Sequence, residues 1–172
     1  PQHRFGERTS DVLAGVVGAV KAAQDRGWKV VVAAHKAMDR GIEPYLDAGG
    51  VSYDTEDLTE ASPDEIMAFY AQVDFAFGMR GHAQMIPFGL RRPIMSIISH
   101  DKMRFFLEDL HRPEWGVEVD APDIKARLSA ALHRVEAERA AVHADVAGAQ
   151  TTAWAETLRN LIDIGRRILT LE

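Results

Sequence analysis

Three short clusters in this sequence carry side chains that bind anions or move protons. Arg80-Gly81-His82 places a permanent cation and a titratable ring on either side of a glycine. Arg grips carboxylate or phosphate with two parallel N–H donors. His is the side chain best suited to proton transfer near neutral pH. Gly81 leaves room for a ligand to approach closely. At the start of a helix, the free amides and the helix dipole add to the pull on an anion. The same three residues also make an ordinary polar turn at a strand end, and spacing alone does not separate the two readings. The second cluster is Ser99-His100-Asp101-Lys102. Lys102 adds positive charge there, while Ser99 or Asp101 serves equally well as a helix cap. The third is His35 with Asp39. Such a pair can orient a base, although lone histidines at strand ends are common.

Other chemistries find less support. His111, His133 and His143 fall in or beside helices without matching ligand partners, and read as surface or packing residues. Paired carboxylates at metal-ligand spacing are not evident, so neither a metal nor a resident cofactor is expected. No G-x-G-x-x-G opens a helix and no phosphate-loop lysine motif occurs, which argues against a nicotinamide dehydrogenase or a nucleoside triphosphatase. The absence of cysteine excludes disulfides, thiolate metal sites and cysteine nucleophiles. The net charge is −6 and the basic residues form no long run, so nucleic acid is not an expected partner. A local cluster of donors can still bind an anion on an acidic protein. No apolar stretch reaches the length of a membrane span and no signal peptide opens the sequence, so a cytoplasmic location is expected.

The length of 172 residues suits one domain, and a hydrophobic fraction of 47% supplies a core. Ser10 is a candidate cap for a helix through Val12, Val16, Val17 and Val20 that stops at Gly27. Trp28 to Ala34 reads as a strand buried on both faces of a parallel sheet. Asp39 to Ala48 reads as a weaker helix, and Val51 to Tyr53 as a short strand. Ser62-Pro63-Asp64-Glu65 is a capping box with proline at the first helical position. Its helix offers Ile66, Met67, Phe69 and Tyr70 as an apolar face. Val73 to Met79 and Pro93 to Ser99 are further strands, with Pro87 expected to kink or shorten the helix between them. Asp101 to Leu110 is amphipathic through Met103, Phe106, Leu107 and Leu110. Val117 to Val119 is a last short strand. A helical region runs from about Asp120 to Glu172, with breaks expected near 144–150. It carries one stripe of Ile124, Leu128, Leu132 and Val135, and another of Trp154, Leu158, Leu161 and Ile168. Strands alternating with helices imply an α/β, Rossmann-like parallel sheet flanked by helices, with a helical carboxyl-terminal extension over 121–172. In such sheets ligands sit beyond the carboxyl ends of the strands. The three clusters above all fall at strand ends.

Asp74 to His82 reads D-F-A-F-G-M-R-G-H, followed by small and apolar residues, a Pro-led strand from Pro93 to Ser99, and Lys102 at the start of an amphipathic helix. This stretch, through Leu110, resembles the polysaccharide pyruvyl transferase family, in which a strand ends in Asp-x-x-x-Gly-Met-Arg-x-His. The upstream order is similar too: a helix, a V-V-V strand ending near His35, an Asp at Asp39 and the Ser62 helix. The resemblance implies one lobe, the carboxyl-terminal one, of a two-lobed fold like that of B-type glycosyltransferases. It implies transfer of the pyruvyl group of phosphoenolpyruvate to a hydroxyl of a sugar or lipid-linked oligosaccharide, in bacterial surface polysaccharide biosynthesis. Arg80 and His82 match the family's donor-site pair, and Lys102 a basic position on the same cleft. The expected roles are His82 as general acid or base, Arg80 as donor anchor and Lys102 as a helper for departing phosphate. Ser99, Gly81 and His35 complete the expected substrate-binding rim. Two positions depart from the family pattern. Gly81 stands where a larger apolar residue is usual, and Pro87 interrupts a usually smooth helix.

The resemblance also implies an amino-terminal lobe and a first central strand upstream of Pro1, neither within these residues. A homo-oligomer or a separate lobe is therefore an expected partner. Two other readings fit the same sequence. One is a nucleotide-sugar transferase lobe, with Glu108 or Asp109 as the ribose-binding acid. The other is a binding or assembly module without catalysis, which the alanine-rich terminal helices favour.

Overall fold

The computed structural model describes residues 9–169. In chain order these form α1 (Thr9–Asp25), β1 (Val31–Ala34), a 3-10 helix (Ala37–Ile42), α2 (Glu43–Ala48), β2 (Asp54–Asp57), α3 (Pro63–Tyr70) and β3 (Ala76–Gly78). Then follow α4 (His82–Gly89), β4 (Ile94–Ile98), α5 (Asp101–Asp109), a 3-10 turn (Pro113–Trp115), β5 (Gly116–Glu118), α6 (Ile124–Ala137) and α7 (Arg139–Leu169).

The expected α/β class is the one observed. The strands form two small parallel sheets, β1-β2 and β3-β4-β5, flanked by helices. β4 is buried along its whole length, and its side chains alternate between two cores with the period of two that a strand imposes. Met95 and Ile97 join Val12, Val16 and Val20 of α1, Leu46 of α2 and Ile124 and Leu128 of α6. Ile94 and Ile98 join Phe88 of α4, Met103 and Leu107 of α5 and Val146 and Ala149 of α7. Helices therefore cover two faces, as a doubly wound sheet requires.

The two sheets lie side by side and share the first of these cores. The Trp28 ring meets Phe75 edge-on just before β1 and β3, and the His35 ring meets His82 just after them, both with centroids 6.4 Å apart. β1 and β3 thus run in the same direction, yet among the described residues no backbone hydrogen bond joins them. From this seam the chain builds outward both ways, β1 to β2 and β3 through β4 to β5.

Several local expectations shift. β1 is shorter than Trp28 to Ala34, and Val31 is 39% exposed, because one edge of the strand lies against the open seam. The expected helix over Asp39 to Ala48 is two pieces, a 3-10 helix and then α2, with Pro44 in the first turn of α2 where its missing N–H costs nothing. The strand expected at Val51 to Tyr53 lies at Asp54–Asp57, four exposed residues whose charges suit an outer edge. Val51 is buried instead as a core residue. Ser10 lies within α1.

α3 begins as expected: Ser62 Oγ accepts from Glu65 N–H at 3.3 Å and Glu65 returns the bond at 2.7 Å. Of its apolar face only Tyr70 is buried. The breaks expected near 144–150 are absent. The helix breaks earlier, at Glu138, and α7 then runs on, because Val146, Ala149 and Ala153 lie at helical spacing against the second core. The Ile124, Leu128, Leu132 and Val135 stripe is buried, whereas Trp154, Leu158, Leu161 and Ile168 are exposed. No described helix is long and apolar enough to cross a membrane.

Candidate functional site at the carboxyl ends of the strands

The seam between β1 and β3 is where the direction of strand addition reverses. In open parallel sheets that reversal opens a crevice beyond the carboxyl ends. His35 follows the last residue of β1, and Met79-Arg80 follow the last residue of β3, with His82 opening α4. Sequence positions about 45 apart thus meet across one mouth.

Asp39 ties this mouth together. The turn after β1 brings its carboxylate back over the strand end, where Oδ2 accepts from the backbone N–H of His35 at 3.1 Å and of Lys36 at 3.0 Å. Its other oxygen, Oδ1, accepts from Arg80 Nε. One carboxylate therefore fixes the backbone of the first strand end and the cation of the second. Its side chain is 16% exposed and that of Arg80 35%, so the pair sits at the rim and is open to solvent on one side.

Tyr70, the last residue of α3, completes the cluster from below. Its hydroxyl lies 2.8 Å from His35 Nε2, and the two rings stack at 5.8 Å. Burial, with the charge of Asp39, pushes the Tyr70 phenol up to about 12, so it keeps its proton at neutral pH. Burial also lowers His35 below the ordinary histidine value. Asp39 opposes that shift, while His82 and Arg80 reinforce it. His35 is held neutral by its surroundings, which is the state of a proton acceptor.

His82 is exposed at the first position of α4, and no side chain caps that helix start. Gly81 is not forced by packing: a Cβ there would meet the sulfurs of Met85 and Met103 at 3.8 and 4.0 Å, ordinary contact distances. Its small size keeps the rim low. Pro87 sits inside α4 without ending it at once. Proline removes the N–H that the Ala83 carbonyl would receive from one turn on. The wholly buried Gln84 supplies a donor instead, its Nε2 bonding Ala83 O at 2.9 Å, while its Oε1 accepts from Ser96 of β4 at 3.2 Å.

The second cluster stands one strand further along. His100 caps α5, its Nδ1 accepting from Lys102 N–H at 3.2 Å, so neither Ser99 nor Asp101 is the cap. Lys102 is exposed, and no described contact joins it to Arg80 or His82. Ser99 and His100 line a shallow hollow with Arg104 and Glu118, on the β5 side of the rim. The structure thus brings His35, Arg80 and His82 together and leaves Ser99 and Lys102 beside them. Asp74, at the head of the motif, pairs with Arg139 at the start of α7 and belongs to the scaffold.

Tyr70 is the member of this site that sequence reasoning missed. Its place in an apolar helical face hid the hydroxyl, and no local motif links it to His35. Among the described residues no group of carboxylates and imidazoles is arranged to hold a metal ion. Comparison with protein-family models, with curated proteins and with solved structures finds no match for this chain.

Proposed function

We propose that this chain is the donor-binding lobe of a cytoplasmic transferase that moves the pyruvyl group of phosphoenolpyruvate to a sugar hydroxyl in bacterial surface polysaccharide biosynthesis. The observation that carries this reading is the gathering of Arg80, His82, His35 and Asp39 at one carboxyl-end mouth. The donor is small and carries a phosphate and a carboxylate, which suit a guanidinium and an uncapped helix start. Asp39 engages Arg80 through Nε, and a bidentate anion would take the two Nη groups.

Ketal formation adds a proton to the methylene carbon of the donor and a sugar hydroxyl to its C2. A second hydroxyl then replaces phosphate at C2. One hydroxyl proton ends on carbon and the other leaves with phosphate. His82 at the open rim delivers and collects these protons, Arg80 anchors the donor, and Lys102 stabilises departing phosphate from the neighbouring strand end. The acceptor, a sugar or lipid-linked oligosaccharide, lies against a second lobe.

Calorimetric titration with phosphoenolpyruvate, beside Arg80→Ala and a panel of nucleotide sugars, tests the reading. Binding of phosphoenolpyruvate that disappears in Arg80→Ala supports it. A folded sample that binds only nucleotide sugars overturns it, as does unchanged turnover in His82→Ala once an acceptor is known. A sample that binds none of these ligands favours the second reading, a non-catalytic assembly module. The exposed Trp154, Leu158, Leu161 and Ile168 stripe on α7 is the observation behind that alternative.

A further inference from the structure

The seam between β1 and β3 has the chemistry of an unfilled strand position. In a parallel ladder both backbone groups of a residue point to the same neighbour, and successive residues alternate sides. Asp54 N–H bonds Val30 O and Leu58 N–H bonds Ala34 O, so Val30, Val32 and Ala34 face β2. Val31 and Ala33 therefore turn their N–H and C=O groups toward the seam. Likewise Ala76 N–H bonds Pro93 O, so Ala76 and Gly78 face β4 and Phe77 faces the seam. The next residue of the series, His35, already gives its N–H to Asp39, which marks the upper end of the open run. Two edges with unpaired backbone groups thus confront each other, running the same way.

The side chains agree. Val30, Val32, Phe75, Phe77 and Met79 flank the seam, and each packs against the first core while only partly buried. β4, bordered by a strand on both sides, is buried throughout. Interior strands of parallel sheets are covered on both faces, and β1 and β3 are not.

We propose that the seam is a slot for one further β-strand, parallel to β1 and β3, with apolar side chains at alternate positions, supplied by polypeptide outside these 172 residues. The occupant would merge the two sheets into one of six strands, in the order β2, β1, occupant, β3, β4, β5. Its chemistry follows from the walls: backbone pairing on two sides, and an apolar core beneath every second residue. No described segment is left over to fill the position. Residues 1–8, Pro-Gln-His-Arg-Phe-Gly-Glu-Arg, lack the alternation it needs. The family resemblance also implies a central strand, but the inference rests on the two open edges and makes no use of a ligand, so a failure to bind phosphoenolpyruvate would leave it standing.

Amide hydrogen exchange on the 172-residue chain tests it, with the synthetic peptide Lys-Val-Thr-Val-Ser-Val-Thr-Lys as probe and a proline-interrupted version as control. In the free chain the amides of Val31, Ala33 and Phe77 should exchange fast, while those of Asp54, Leu58 and Ala76 are protected. Saturating peptide should slow the first group by at least roughly tenfold and raise the melting temperature. Ala33→Pro removes a slot-facing donor without touching the β1-β2 ladder, so it should keep the free chain's melting temperature and lose the peptide's effect. Three results would overturn the proposal. The three amides are already protected in the free chain, the peptide protects only the outer edges of β2 and β5, or it changes neither exchange nor melting temperature.

Discussion

Replacing Asp39 separates its two jobs. Asp39→Ala removes the acceptor of the His35 and Lys36 amides together with the partner of Arg80. Losing a side chain that reaches back to the two backbone amides at the entry of a helical turn costs about 1 kcal/mol, as a lost cap does. The ion pair is half open to water, with Arg80 35% exposed, so its loss adds up to about 1 kcal/mol. Asp39→Ala should therefore lower the unfolding free energy by about 2 kcal/mol, which moves a urea midpoint by about 1 M. Asp39→Asn keeps an oxygen for the two amides and gives up the charge, so it should lose about half as much. The assay is urea unfolding followed by circular dichroism and by tryptophan fluorescence, with coincident curves as the check on two-state behaviour. Equal losses in the two variants would refute the division of labour. So would a loss below about 0.5 kcal/mol in Asp39→Ala, the range of an ordinary surface substitution.

The surroundings of His35 set a pH dependence with a definite sign. Its folded value lies below the ordinary 6.5, so the unfolded chain binds the proton more readily. The stability from neutral His35 is present above pH 6.5 and is lost as pH falls from there through the lowered folded value. Melting curves across that range should show a steeper fall for the parent than for His35→Asn; parallel curves would contradict the sign. Gln84→Ala should cost about 3 kcal/mol in urea unfolding, since it opens a cavity, strands Ser96 Oγ and leaves the Ala83 carbonyl without its replacement donor. Gly116→Ala would place a Cβ 2.5 Å from Leu107 Cδ1 and 2.6 Å from Ile98 Cδ1, on an extended backbone that any residue adopts. Both neighbours are buried, so calorimetric melting should report a loss of about 1 to 2 kcal/mol, and Gly116→Val a larger one.

The parts of the fold legible in the sequence are those decided by neighbours along the chain. Ser62 and Glu65 satisfy each other's backbone three residues apart, and Ile94 to Ile98 is apolar at every position except Ser96, as a buried strand needs. The parts that were not legible depend on what stands alongside. The valines at the start of β1 look like an interior strand, but burial requires a neighbour on each side and β1 has one. The stretch over 144–150 is rich in small residues and reads as a break, yet three of its neighbourhood's apolar positions meet a core that only the folded chain provides. At the site, the Arg80 and His82 element stood out by type and spacing. The bond from Asp39 to Arg80 spans 41 residues and the one from His35 to Tyr70 spans 35, separations over which local pattern carries no information.

α7 has a mechanical consequence. Its first part is bolted to the body by Arg139 with Asp74, Arg112 with Asp145 at 2.6 Å, and Arg91 with Gln150 at 2.7 Å. Beyond Ala149 no described residue of the helix is buried. The remaining twenty residues to Leu169 extend roughly 30 Å at the helical rise, a cantilever fixed at one end. A tilt of about 10° at the bolts would sweep its tip through roughly 5 Å, by the same helical length. The body-side partners Asp74, Arg91 and Arg112 stand in the segments that lead into β3, β4 and β5. Load applied at the tip would therefore be felt as torque on the amino ends of three strands, the end of the sheet opposite the site.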